Sequence, residues 1–399
     1  MNLDLLFAII FYGLLLIFFF AKREKFQVQA KIFALYKTKI GLNLMDKISK
    51  ISPRFLNFLG ILSIITGFVG MIFIFYWLLK GTIDLLLVPN AVPAVAPVLP
   101  GIKVLPGLPI LSFWHWIIAI FFVAIVHEFS HGIFARLYNT KIKSSGFAFL
   151  GPILAAFVEP DEKQLAKKSK KAQLSVFSVG PFSNIIFGLI FMLILSYISA
   201  PIYASVYTEN GIVVNKFITG YPAEKSGLKV PFIIKGVNNI ETLSLKSFLN
   251  ITKDINPGDK IILNTNQGDF KIKTVENPEN KTKAFVGISE FGIDTKIKEN
   301  IALKYGTFIP KTIAWTNLLI FWLFAVNIGV GLFNLLPLGP IDGGRMFYTA
   351  LFYFTDNPNK VKKVWSLVTF FILLLIFINL VPYLWKLLLF ILKPFNSIV

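Results

Sequence analysis

The stretch Ile125-Val126-His127-Glu128-Phe129-Ser130-His131-Gly132 places two histidines and a glutamate inside an apolar run that extends from about position 112 to 137. On an α-helix, His127 and His131 are separated by about 40° in rotation and about 6 Å in height, so both imidazoles can bind one cation. Glu128 projects about 60–100° around the same helix and can reach a water molecule beside that cation. The stretch predicts a metal site with an adjacent base, inside a helix apolar enough to cross a membrane.

A packing role for these polar side chains is the alternative. The chain has only three histidines, and two of them stand at this spacing with a glutamate between them. Ionisable groups in hydrocarbon cost several kcal/mol each when they are unpaired, so a cluster of three requires a partner. A metal ion provides one, and we favour zinc, one per chain, over simple packing.

Catalytic zinc needs a third protein ligand and keeps its fourth position for water. The strongest candidate is Asp342, which ends the stretch Asn334-Leu-Leu-Pro-Leu-Gly-Pro-Ile-Asp342 at the close of a later apolar run. Prolines and a glycine open the helix there, at a depth similar to that of His127. His115 lies about 18 Å away along the helix, too far to contribute. The carboxylates that stay open as alternatives lie in a lysine-rich loop, where we expect them to be solvated: Glu159, Asp161 and Glu162.

Composition agrees with a membrane protein. Of 399 residues, 55% are apolar and 42 are phenylalanine, whereas soluble domains are about 45–50% apolar. Blocks long enough to span a bilayer lie near 3–21, 56–79, 112–137, 173–200, 312–337 and 364–384. The first block lacks the basic flank and cleavage site of a signal peptide, so we expect it to be retained.

The net charge of +19 is concentrated in three segments beside the apolar blocks. Residues 22–54 hold nine basic and two acidic side chains, residues 136–171 eight and three, and residues 345–363 four and one. In a six-span arrangement all three lie on one side, which the positive-inside rule makes cytoplasmic, with both termini outside. The basic runs lack interleaved aromatic platforms, so nucleic acid is not an expected partner. The absence of cysteine excludes disulfides and thiolate metal ligands.

Three segments depart from the pattern of spans and loops. Residues 88–110 carry six prolines, which exclude helix, and we expect an extended cover on the outer face. Residues 144–158 are apolar but are interrupted by Gly151-Pro152, which favours a re-entrant β-hairpin. Residues 205–296 are polar with short β-type runs, which indicates a water-soluble α/β domain on the outer side. Stretches such as Tyr221–Leu228 and Ile255–Ile262 resemble those of a PDZ domain, a fold that binds peptide ends.

The paired motifs at His127–His131 and Asn334–Asp342 resemble the site-2 protease family of intramembrane metalloproteases. Gly180-Pro181-Phe182-Ser183-Asn184 and the inserted PDZ-like domain are similar to that family as well. The resemblance covers about 110–350 and implies a single-span membrane protein substrate that another protease has already trimmed. It implies that Asn334 contacts substrate. It also implies that the hairpin offers a strand edge to substrate, which we assign to Phe147, Ala148 and Phe149. Family members often have proline directly before the Asp-Gly pair, where this chain has Ile341.

The resulting prediction is an all-α polytopic protein of the cell membrane, with about six transmembrane helices, an inserted α/β PDZ-like domain and a re-entrant β-hairpin. Residues 1–110 hold two spans, a basic loop and the Pro-rich loop. Residues 111–204 and 297–350 form the catalytic core, 205–296 the PDZ-like domain, and 351–399 the last span and tail. Two alternatives remain: a membrane zincin with a glutamate ligand, and an inactive receptor or scaffold that binds peptides through its PDZ domain. The intact Glu128 disfavours the second, because a structural zinc site has no use for a base.

Overall fold

The computed structural model describes residues 3–29, 33–88, 91–101, 108–150, 153–278 and 280–392. The chain separates into two compact units. The first comprises Met1–Val104, Ile110–Leu195 and Leu318–Val399, and the second comprises Leu105–Pro109 and Ser196–Asn317.

Long apolar helices and short strands alternate in the N-terminal part of the first unit. In chain order they are α1 (Leu3–Ala21), β1 (Phe26–Gln29), β2 (Phe33–Thr38), α2 (Leu42–Ile51), α3 (Pro53–Leu87), α4 (Phe113–Leu137), β3 (Ile142–Leu150), β4 (Ile153–Pro160), α5 (Glu162–Ala166) and α6 (Lys170–Ile194). Pro53 opens α3, where its missing N–H costs nothing. The hydroxyls of Ser112 and Ser169 cap α4 and α6 by accepting from backbone amides.

The second unit contains a main β-sheet, in which five strands lie side by side in one row, together with short helices. After a π-helical turn at Leu195–Ser199, its elements are α7 (Ala200–Val206), β5 (Tyr207–Phe217), α8 (Pro222–Lys225), β6 (Phe232–Val237), β7 (Ile240–Glu241), α9 (Leu245–Thr252), β8 (Lys260–Thr265), β9 (Gly268–Lys273), β10 (Val275–Glu276), β11 (Ala284–Phe285), β12 (Ile288–Ile297) and α10 (Glu299–Tyr305). The main sheet has the order β12-β5-β6-β8-β9, with β7 on β6. Alternate residues of these strands form a buried core that includes Val214, Phe232, Ile234 and Leu263.

Three helices complete the chain: α11 (Phe308–Phe333), α12 (Asp342–Leu351) and α13 (Pro358–Leu392). Among the described residues, six helical stretches are long and apolar enough to cross a membrane: Asp4–Ala21, Pro53–Leu87, Phe113–Leu137, Lys170–Val206, Phe308–Phe333 and Pro358–Leu389. The prediction of a six-span α-helical protein with an inserted α/β domain is confirmed. The last helix, α13, continues beyond the apolar block predicted at 364–384, as far as Leu392.

The predicted hairpin belongs to a larger sheet. The four strands have the order β1-β2-β3-β4. In β3, Phe147 is paired with Tyr36 on one side and with Ala156 on the other. Phe147, Ala148 and Phe149 therefore have no free backbone edge, and our expectation that they offer one to substrate needs correction. The edge strand of the sheet next to β3 is β4. The turn predicted at Gly151-Pro152 lies outside the described residues.

The described part of the Pro-rich segment, 91–101, has neither helix nor strand, as its prolines require. Buried side chains from the helices hold it in place: the amide of Ala94 donates to Asn379 at 2.7 Å, and the indole of Trp116 donates to the carbonyl of Val98 at 2.9 Å. The segment approaches α3 closely at Gly81, where only glycine fits, because a Cβ there would lie 2.4 Å from the Cβ of Ala94.

Candidate metal centre

Three side-chain atoms from two distant parts of the chain converge in the first unit. The Nε2 atoms of His127 and His131 are 3.1 Å apart, and Oδ2 of Asp342 lies 2.9 Å from the first and 3.2 Å from the second. Ligands held about 2.0–2.1 Å from a tetrahedral zinc ion are about 3.3–3.4 Å from one another. The triangle agrees with that geometry to within a few tenths of an ångström, and its two imidazoles and one carboxylate are a donor set typical of zinc.

Helix geometry places the two histidines, as the sequence predicted. Both lie on α4 with 9% of their surface exposed, and their rings meet edge to face at a centroid distance of 4.7 Å. The outer nitrogen of His131, Nδ1, lies 2.6 Å from the carbonyl of Val176 on α6. A carbonyl can only accept, so Nδ1 carries the ring proton and Nε2 presents its lone pair to the cluster.

A tight turn brings in Asp342. Helix α11 ends at Phe333, the chain opens through Pro337 and Pro340, and Asp342 is the first residue of α12. The turn is closed by the amide of Gly343, which donates to the carbonyl of Asn334 at 2.7 Å. A Cβ at Gly343 would lie 2.3 Å from the carbonyl oxygens of Leu335 and Leu336, so only glycine permits this approach.

Gly180 of α6 forms the floor beneath the three donor atoms. A Cβ at this position would lie 2.4 Å from Nε2 of His131 and 2.8 Å from Nε2 of His127. Such contacts are too short for any carbon atom, so the cluster fits only against a residue without a side chain. The next residue, Pro181, lies inside α6.

The Glu128 carboxylate contacts the sheet and is not grouped with Asp342. One of its carboxylate oxygens, Oε2, accepts a hydrogen bond from the amide of Val158 on β4 at 2.9 Å. Glu128 is thus next to the donor triangle without being part of it, because the grouped donors are His127, His131 and Asp342.

The other candidates have different partners. Glu159 accepts from Lys37 at 2.8 Å and from Ser144 at 2.7 Å. The Lys37 ammonium, helped by the Ser144 hydroxyl, lowers the pKa of the Glu159 carboxyl. Asp161 caps α5 and Glu162 lies 3.3 Å from Arg345. His115 is buried near the start of α4, with Nδ1 2.5 Å from the Ser112 hydroxyl.

Comparisons with known proteins agree with this site. The model of peptidase family M50 matches residues 115–376, which include every residue of the donor cluster. The chain belongs to peptidase family M50. It is therefore a zinc metalloprotease of the site-2 protease type, a multi-pass membrane protein whose substrates are membrane proteins. Both the resemblance drawn from the sequence and the zinc prediction are confirmed.

One relative aligns with most of the chain, and another aligns with about half of it. An uncharacterized protein of Methanocaldococcus jannaschii is 30% identical over 353 residues, which cover 86% of this chain and 84% of that protein. The zinc metalloprotease RasP of Shouchella clausii is 24% identical over 249 residues, 53% of this chain and 58% of that protein. The crystal structure of the PDZ domain of an SdrC-like protein from Listeria monocytogenes aligns with 20% of this chain and 87% of that domain, at 20% identity and a TM-score of 0.19.

Three features of the M50 site escaped the sequence analysis. Gly180 and Asn184 were noted only as a family motif, although one provides the floor of the site and the amide of the other lies 3.0 Å from Nδ1 of His127. The strands β1 and β2 were read as part of a basic loop. Alternating apolar and polar residues at 26–29 were a signal for a strand that could have been used.

Proposed function

We propose that this M50 protease cleaves peptide bonds within transmembrane segments of its substrates, with zinc held by His127, His131 and Asp342 and with Glu128 as the base. One observation carries the proposal: the three donor atoms lie 2.9–3.2 Å apart, and both histidines are on a helix apolar enough to cross a membrane. A hydrolytic site among such helices is of use only if the scissile bond is also brought to membrane depth.

The ligands and the base have distinct tasks. Zinc bound by this donor set supplies Lewis acidity, which polarises a carbonyl oxygen and lowers the pKa of water to about 7. The protein residues hold the ion and move the proton: Glu128 accepts a proton from the attacking water and later delivers it to the leaving amine. The Val158 amide donates to one oxygen of that carboxylate, which restricts the rotation of the group.

The charge of the ligand set suits a membrane. Two neutral imidazoles and one carboxylate leave a divalent cation with a single positive charge, and the Glu128 carboxylate beside it offsets that charge. A ligand set with two carboxylates would leave a net negative charge with this base. Imbalance is costly where water is scarce.

An edge of β4 is our candidate for the substrate-binding strand. A transmembrane helix hides its amide groups in its own hydrogen bonds, so a substrate must unwind before its carbonyl can be attacked, and the unwound segment needs new partners. Because the Val158 amide points away from β3 toward Glu128, the amides of Ala156 and Leu154 have the same outward direction. A substrate strand on this edge would run beside the base.

We also propose that Asn334 contacts substrate. Its side chain is only half-buried, and its carbonyl accepts a hydrogen bond from the amide of the residue after Asp342. Phe147, Ala148 and Phe149 can take part only through side chains; the ring of Phe147 stacks on Phe121 at a centroid distance of 6.0 Å.

The orientation follows from charge. The three basic segments are cytoplasmic and residues 205–296, together with both termini, lie outside. A PDZ-like domain in that position receives substrates already shortened by another protease, either by binding the new peptide end or by excluding large folded proteins. Regulated proteolysis of single-span proteins is the class of function that fits this order of events.

The direct test uses purified protein reconstituted in liposomes with a single-span substrate. Cleavage should require zinc, should map to a bond within the transmembrane segment, and should be lost on addition of a chelator. Cleavage confined to bonds outside the membrane segment would refute the proposal, since the enzyme would then be an ordinary membrane-anchored protease.

A further inference from the structure

A buried asparagine contacts the outer face of one proposed metal ligand. Asn184 of α6 has none of its surface exposed, and its Nδ2 lies 3.0 Å from Nδ1 of His127. Its Oδ1 has no hydrogen-bond partner among the described residues. An amide with one unpartnered end is unfavourable inside a membrane protein, so its presence needs an explanation.

The two histidines differ in what orients them. His131 is held by the carbonyl of Val176, which fixes the ring proton on Nδ1. His127 has a side-chain amide in the equivalent place, and an amide can either donate through its nitrogen or accept through its oxygen. Metal-ligating histidines almost always donate their outer N–H to an acceptor, and such acceptors raise the affinity for the metal.

We infer that Asn184 is the positioning residue for His127, and that it adapts to both tautomers of that ring. When Nε2 of His127 donates to Asp342, which lies 2.9 Å away, Nδ1 is an acceptor and Nδ2 of Asn184 is its donor. When Nε2 binds metal, the proton resides on Nδ1, and a half-turn of the amide presents Oδ1 to accept it. This inference rests on the ligand set proposed above.

A carboxylate or an apolar side chain at position 184 would leave at least one tautomer of His127 without a hydrogen-bond partner. A carboxylate accepts only, and it would add a negative charge to a site whose charges nearly balance. An apolar residue satisfies neither tautomer. An amide serves both tautomers without a charge.

Asn327 provides a matched control. It is also an asparagine on an apolar helix with none of its surface exposed, its Oδ1 also has no partner among the described residues, and its Nδ2 bonds the carbonyl of Leu323 on its own helix. Substitution at Asn327 reports the general cost of removing a buried amide, and substitution at Asn184 reports that cost together with any effect on the metal.

The experiment measures zinc affinity of the purified full-length protein by competition with a chromogenic chelator, and the visible absorption spectrum of the cobalt-substituted protein. Asn184→Leu should weaken zinc binding about 10–100-fold and alter the cobalt spectrum. Asn327→Leu should leave both within about threefold of wild type. Asn184→Asp, which keeps an acceptor, should bind zinc more tightly than Asn184→Leu; it also keeps the test valid if the leucine variant fails to fold.

Equal losses in the two leucine variants, or an aspartate variant as weak as the leucine variant, would overturn the inference. His127→Ala separates this failure from that of the proposed function. If His127→Ala retains zinc at wild-type affinity, the ligand set itself is wrong. If it loses zinc while Asn184→Leu retains it, the ligand set stands and only the role of Asn184 is refuted.

Discussion

Replacement of Gly180 by alanine tests whether the donor triangle is the zinc site. The new Cβ would lie 2.4 Å from Nε2 of His131, where ordinary contacts begin at 3.4 Å, so the ring and α6 must separate by about 1.0 Å. Metal sites tolerate changes in ligand distance of about 0.2 Å. A displacement five times that size removes one of three protein ligands, and the loss of affinity should exceed the 10–100-fold that follows from changing an outer partner.

The assay is zinc content after dialysis against a chelator of known affinity, together with chain integrity by size-exclusion chromatography. Gly188→Ala is the control on the same helix. Its Cβ would meet the end of the Ile328 side chain at 2.6 Å, a comparable overlap that is remote from the ligands. Overpacking of this kind costs about 1–3 kcal/mol, so the control should lose stability and keep its zinc.

If both Gly180→Ala and Gly188→Ala bind zinc with wild-type affinity, the assignment of the donor triangle as the zinc site is refuted. Either the ion would then be bound by other residues, or the helices would yield by more than a packed interior allows.

Three further predictions concern the base, the substrate strand and the topology. Glu128→Gln should abolish cleavage and retain zinc, since the amide keeps the shape but accepts no proton; zinc loss would make Glu128 a ligand. Ala156→Pro should slow cleavage of membrane substrates while zinc stays bound, because proline removes an outward amide. Phe157→Pro, whose amide faces β3, should instead destabilise the sheet; wild-type cleavage by the Ala156 variant would exclude the β4 edge. In this cysteine-free chain, single cysteines at Lys168 and Lys235 should react with an impermeant thiol reagent on intact cells only at 235, and the reverse pattern would overturn the orientation.

The parts of the structure that local pattern determines were predictable. Hydropathy alone located the six long helices, because a bilayer requires about 20 apolar residues in succession. The four-residue spacing of His127 and His131 determined their common direction, because helix geometry leaves little freedom. Asp342 was recoverable as well, since an acid after a Pro/Gly-rich break at the end of an apolar run has few structural uses.

Contacts between distant residues could not be read in the same way. Gly180 was recognised only as part of a motif, since nothing local to α6 shows that two imidazoles lie against it. Asn184 looks like any polar residue in a span until its distance to His127 is known. Pairing between α4 and α6 is set by side-chain packing along both helices, and a single sequence does not reveal it.

The hairpin at 144–158 shows that a correctly predicted element can still be assigned the wrong substrate-binding edge. The hairpin at 144–158 was expected from its composition, but a hairpin has two edges, and sequence offers no means to choose between them. The choice depends on β2, whose residue Tyr36 pairs with Phe147 across more than a hundred positions. Once β2 covers β3, the backbone edge of the hairpin that stays unpaired by a strand is that of β4, and the Val158 amide of this strand donates to Glu128. The edge that we propose for substrate binding and the hydrogen bond to Glu128 therefore belong to one strand. If substrate binds at this edge as we propose, it extends the same strand whose Val158 amide donates to the Glu128 carboxylate.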